Sequence, residues 1–155
     1  MATTPTAAST TDLVAKAPPP TAALPTTDSL PAAARAAAAQ GQPLVVMTTL
    51  KGCPFCDVVR NNYLGPMLRQ GQVVAIQLDM TDRTSALTGF DGKPTTPAAQ
   101  VTAWKARLAP TVLFLAPDGR EVVERLRGVA VQDLFGAYLD MRLSDSRKLL
   151  SGQPP

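Results

Sequence analysis

Pro43-Leu44-Val45-Val46-Met47-Thr48-Thr49-Leu50-Lys51-Gly52-Cys53-Pro54-Phe55-Cys56 runs from a short apolar stretch rich in β-formers straight into a pair of cysteines. Residues 43–49 read as a buried strand. A helix-like segment follows the cysteines, so Cys53 falls at a helix N-terminus. Free backbone N–H groups and the positive end of the helix dipole favour a thiolate there. Cys56 lies one turn further on and can close a disulfide onto it.

Working outward, residues 57–70 read as helix, with Gly65-Pro66 expected to break or kink it. Residues 73–78 (VVAIQL) form a second buried strand. Strand, crossover helix and strand make a βαβ unit, which implies parallel pairing. Upstream, Asp28 or Ser29 caps an alanine-rich helix with Pro31 in its first turn and Gly41 at its end. Residues 1–27 hold Pro18-Pro19-Pro20 in an Ala/Thr mix and are expected to be a disordered tail. Residues 28–150 form the domain, and 151–155 a loose C-terminus.

Downstream, residues 79–95 read as a long loop, of the kind that is often functional or mobile. Thr96 caps a helix whose apolar stripe is Val101, Trp104 and Leu108. A third strand over 111–116, the turn Pro117-Asp118-Gly119 and a fourth strand over 121–127 make an antiparallel hairpin. Gly128 ends it. Val131, Leu134, Phe135, Tyr138 and Leu139 lie at helical spacing on a last helix that runs to about Leu150. The order is α-β-α-β-α-β-β-α, an α/β fold around a central mixed four-stranded sheet flanked by helices.

Composition narrows the chemistry. The 155 residues contain two cysteines and no histidine. That removes Cys–His hydrolases, His-based acid/base catalysis and most zinc sites, and no metal is expected. A disulfide-stapled scaffold needs more cysteines, so this pair reads as a working group. The net charge of +3 is spread over basic residues scattered along the chain, and no nucleic acid is expected as partner. No run of about 18 apolar residues is present. The start Met1-Ala2-Thr3-Thr4 lacks the basic and apolar regions of a signal peptide. An Ala/Pro/Thr-rich stretch, however, often stands between a removed signal and an exported domain.

The element order, the CPFC motif after the first strand, Ala109-Pro110-Thr111 about fifty residues later, the Asp118-Gly119 turn and Gly128 together resemble the thioredoxin family. The resemblance spans residues 30–145. It implies a thioredoxin-like fold and thiol–disulfide exchange with protein disulfides, with no cofactor. Cys53 would attack and Cys56 would resolve. Pro110 would be a cis-proline facing the dithiol, with Ala109 pairing an extended substrate segment; the plainer reading of Pro110 is a helix stop. Pro54 and Phe55 would contact substrate, although Phe55 also reads as a chance surface aromatic. Lys51 favours the thiolate by charge, and Asp57 opposes it.

The long loop and residues 127–140 are similar to the exported bacterial branch of the family, which includes thioredoxins associated with sulfur oxidation. That implies a periplasmic monomer with a redox partner in the membrane or periplasm; the other compartment open to it is the cytoplasm. Departures are also visible. Gly52 replaces the usual Trp, and Pro-Phe replaces Gly-Pro between the cysteines. Met47 and Ile76 fall where cytosolic thioredoxins carry a buried Asp and Lys.

Other readings of the CPFC pair are a glutaredoxin-like glutathione-dependent reductase, a Cu(I)-binding module and a structural disulfide. The Gly-Gly that helps hold glutathione is missing, and no His or Met stands beside the motif to complete a copper site. A four-residue loop restrains the unfolded chain little, which makes a poor staple.

Overall fold

The computed structural model describes residues 24–129 and 132–152. Ser29 caps α1 (Leu30–Ala38), its side chain accepting from the Ala32 N–H. β1 (Leu44–Thr49) follows, then α2 (Pro54–Val59), a π-helical turn over Arg60–Leu64 and α3 (Gly65–Arg69). β2 (Val74–Asp79) leads into a small hairpin of β3 (Leu87–Thr88) and β4 (Pro94–Thr95). α4 (Pro97–Ala103), β5 (Thr111–Leu115), β6 (Leu126–Arg127) and α5 (Gln132–Leu150) complete the order.

The main sheet has the strand order β2-β1-β5-β6. β1 pairs parallel with β2 and antiparallel with β5, and β5 pairs antiparallel with β6. Every residue of the two central strands is buried, as a sheet covered on both faces requires. Alternation along the strands separates two cores. Val45, Met47, Ala75, Val112 and Phe114 pack with Val59, Leu64, Phe135, Leu139 and Leu143, under the α2–α3 segment and α5. Leu44, Val46, Ile76, Leu78, Leu113 and Leu115 pack with Leu30, Ala34, Ala37 and Val101, under α1 and α4. This is the expected thioredoxin-like arrangement of a mixed four-stranded sheet between helices.

Several local expectations change. Pro66 does not break its helix. The π turn absorbs it, with the Gly65 N–H bonded five residues back to the Arg60 carbonyl. Of the residues read as tail, Leu24 is buried and the Pro25 carbonyl accepts from the Gln77 N–H. Residues 1–23 lie outside the described residues. The 79–95 loop is anchored by β3–β4, with Leu87 buried and a bridge from Ser29 to Thr88. α4 is capped by Thr96 as expected but stops at Ala103, so Leu108 lies beyond it and is exposed.

The fourth strand is also shorter than expected. The pairing passes from Val112 with Leu126 to Leu115 with Glu121, so that residues 122–125 on one strand stand against 113–114 on the other. The surplus bulges out of the ladder, and Arg125 there bonds to the Trp104 carbonyl at 2.7 Å. On α5, Phe135 and Leu139 are buried while Leu134 and Tyr138 are exposed; Val131 lies outside the described residues.

Candidate active site

The C-terminal end of β1 delivers the dithiol. Gly52 makes the turn with φ +72°, a left-handed conformation that disfavours side chains, which accounts for the missing Trp. Cys53 is the N-cap of α2, in extended conformation, and Pro54 opens the helix where no N–H is needed. Cys53 and Cys56 are joined by a disulfide, with Cα atoms 5.2 Å apart. The Cys56 N–H donates to the Cys53 Sγ at 3.2 Å, so a helix-terminal donor points at the sulfur that sequence analysis takes as the nucleophile. Cys53 is half-buried and Cys56 fully buried.

The Ala109–Pro110 peptide is cis. Cys53 Sγ lies 3.7 Å from the Ala109 carbonyl oxygen, so the two segments named from sequence meet. Two buried threonines hold this loop. Thr48 Oγ1 donates to the Leu108 carbonyl at 3.0 Å and accepts from the Thr111 N–H at 2.8 Å. Thr111 Oγ1 donates to the same carbonyl at 2.6 Å. From the other side the Gly128 N–H donates to the Pro110 carbonyl at 2.8 Å. Among the described residues the Ala109 N–H has no acceptor. It stands next to the dithiol as an open donor for an incoming chain.

Pro54, Phe55 and Lys51 are exposed at the mouth. Leu50 and Leu108 join Phe55 as exposed apolar residues there, and sequence reading missed both. Lys51 has no bonded partner among the described residues. Asp57 turns to Arg60, with an Nη1–Oδ1 distance of 2.9 Å. Arg60 also donates to Thr49 Oγ1 at 2.8 Å and Gln77 Oε1 at 3.1 Å, which ties α2 to the ends of β1 and β2. No sequence signal marked this residue, because a lone arginine on an expected helix reads as solvent-exposed.

Met47 and Ile76 do not face each other. They belong to the two different cores, and the β2 residue level with Met47 is Gln77. One residue of register separates a position from its opposite face. The side of the sheet under α2 carries apolar Met47 and Ala75.

A thioredoxin-like fold with a CxxC disulfide at the start of the helix after β1 defines the thiol–disulfide oxidoreductases as a class. Residues 30–142 match the thioredoxin-like domain family, and the chain belongs to that family. The thioredoxin of Fasciola hepatica is 16% identical and aligns over 78% of this chain and 97% of its own, with a TM-score of 0.51. A poplar thioredoxin h is 17% identical over 69% of this chain and 82% of that one, with a TM-score of 0.47. The periplasmic thioredoxin SoxS from Paracoccus pantotrophus is 21% identical over 64% and 94%, with a TM-score of 0.42. At such identities the likeness speaks for the fold alone, and of these three it rests on the Fasciola protein. Comparison with curated proteins found no significant match. Among the described residues no helix is long and apolar enough to cross a membrane.

Proposed function

We propose that this chain exchanges electrons with protein disulfides through Cys53 and Cys56. The observation that carries the reading is the position of Cys53 Sγ, at a helix N-cap and 3.7 Å from the carbonyl next to the cis-proline. In the reducing direction, the Cys53 thiolate attacks a substrate disulfide. A mixed disulfide forms and one substrate sulfur leaves as thiolate. Cys56, deprotonated, then attacks the Cys53 sulfur. The second substrate thiolate departs and the Cys53–Cys56 bond closes. Two electrons pass from the protein dithiol to the substrate, whose two thiolates take up the two protons. Run backwards, the same steps oxidise a substrate dithiol.

Ala109 pairs the backbone of an extended substrate segment, Pro110 shapes that loop, and Pro54 and Phe55 offer apolar contact beside the reacting sulfur. Lys51 raises the local positive potential, while the charge of Asp57 is drawn off by Arg60. The proposal extends to a periplasmic compartment and a redox partner there or in the membrane, supported by the Ala/Pro/Thr-rich stretch ahead of the domain.

The reduced protein is expected to speed insulin reduction, and Cys53→Ser to abolish this. Equilibration with glutathione redox buffers then gives the direction. A potential below about −250 mV indicates a reductant and one above about −150 mV an oxidant. Activity on glutathionylated thiols with none on insulin supports the glutaredoxin-like reading instead.

A further inference from the structure

Basic residues that are scattered in sequence come together beside the cis-proline loop. A cavity of about 210 Å³ is lined by Lys105, Arg107, Leu108, Thr111, Arg125 and Arg127. No carboxylate lines it. Arg125 is held by Glu121 through two hydrogen bonds of 2.8 and 2.7 Å. Glu124 is shared between Arg127 at 3.4 Å and Arg142 at 4.0 Å. Lys105 and Arg107 are exposed and, among the described residues, have no carboxylate partner. Four cations therefore line the cavity, and the two carboxylates that pair with them, Glu121 and Glu124, leave a surplus of two.

Lys105 adds an independent observation. It is the one non-glycine residue with positive φ among the described residues, at 56°. It stands just after the C-cap Trp104 of α4, where glycine is the favoured residue. A lysine held in this disfavoured conformation, at the edge of the cavity, is what a charge needed at that point would look like.

We propose that this groove recognises the acidic flank of the partner protein's disulfide. The inference rests on the exchange reading above and names the substrate class it favours. The occupant is an extended segment carrying the reacting cysteine, with aspartates or glutamates beside it. The cavity is lined by the residues on either side of Ala109–Pro110, so a chain that pairs with Ala109 and runs towards the end of α4 lies along it. Lys105 is four residues from Ala109, which is at most about 14 Å of extended chain. Acidic residues two to four positions from the segment's contact with Ala109 therefore reach Lys105 and Arg107. Exposed charges of this kind act mainly on the rate of encounter and are weakened by salt.

The test uses two peptide disulfides that differ only in having three glutamates or three glutamines on each side of the cysteine. The reduced full chain is expected to reduce the acidic peptide about tenfold faster in about 20 mM salt, with the advantage shrinking in about 200 mM salt. Lys105→Gln with Arg107→Gln should remove the advantage. Both residues are exposed, so folding is not at stake. The charge-matched control Lys93→Gln with Lys148→Gln should keep it. Equal rates for the two peptides, or an advantage that survives the Lys105/Arg107 change, overturn the proposal. A binding arm separates this from the chemistry: the acidic peptide in thiol-blocked form should bind Cys53→Ser more tightly than the neutral one, and lose that preference in the Lys105/Arg107 background. If neither peptide is reduced, the exchange reading fails, and the binding arm still decides the groove. Displacement by a single-stranded oligonucleotide of equal charge at equal concentration shows a general polyanion site and also overturns it.

Discussion

Gly52 and Lys105 form a contrasting pair beside the same site. Each takes a left-handed backbone conformation, one with the residue suited to it and one without. A Cβ at Gly52 meets no atom within 4 Å, so Gly52→Ala isolates the backbone term. It should lower stability by about 1 kcal/mol, and Lys105→Gly should raise it by a similar amount. Urea unfolding checks both as opposite shifts in midpoint with unchanged slope. The sequence shows Gly52 as a departure from the usual Trp but not the cause, which is a dihedral angle. It shows Lys105 only as one more surface lysine. By contrast Cys53, Cys56 and Pro110 were legible, because their spacing relative to strand boundaries carries the geometry. Thr48 was hidden for the opposite reason. A threonine in an apolar strand reads as a β-former, and only the fold reveals that it holds the Leu108 carbonyl and the Thr111 N–H.

At the level of elements, the attachment of α2 to the sheet turns on Arg60. Its ion pair is with Asp57, whose side chain is 62% exposed, and an exposed pair of this kind contributes about 0.2–1 kcal/mol at most. The bonds to Thr49 and Gln77 lie in more buried surroundings, and losing their partner costs about 1–3 kcal/mol. Asp57→Asn should therefore change stability by less than about 0.5 kcal/mol, and Arg60→Ala by about 2 kcal/mol. Thermal unfolding of the two variants distinguishes them, and equal losses would contradict this ranking. The loop after β2 carries a different signature. The Ser85 hydroxyl and the Ser85 and Thr84 N–H groups bond to the Asp82 carboxylate and pull its pKa from 3.8 down to about 2. A lowered pKa in the folded chain means that the contribution is present above about pH 4 and fades as the pH falls towards 2. Carboxyl titration by NMR should find Asp82 near 2, and Ser85→Ala should move it up. The sequence marked these residues only as a polar loop. The turn that converges on one carboxylate depends on backbone geometry that composition does not encode.

For the molecule as a whole, periodicity was enough to place the sheet, the helices and the dithiol, because burial on two faces imposes runs and stripes that the chain must display. It failed where elements end. The fourth strand looked continuous because residues 121–127 alternate in polarity, yet the bulge needed to seat Arg125 removes most of its pairing. The basic groove was invisible for a related reason, since its cations come from the segment after α4 and from β6 and its flank. One whole-molecule consequence concerns the two sulfurs. Cys53 is half-buried at the mouth, while Cys56 has no exposed surface and lies on the buried face of α2. In the reduced protein iodoacetamide should reach Cys53 directly. Cys56 should react only through opening of the structure. For a domain of typical stability, about 5–15 kcal/mol, global opening would suppress its rate by a factor of about 10³ or more. Sub-denaturing urea should then accelerate Cys56 steeply and leave Cys53 nearly unchanged. Mass spectrometry of tryptic peptides cannot be used for the ratio unless both cysteines stay separable, so the comparison is best made in Cys53→Ser and Cys56→Ser variants. Parallel responses of the two thiols to urea would show that Cys56 is reached without unfolding, and the division into an exposed attacking sulfur and a shielded resolving one would fall.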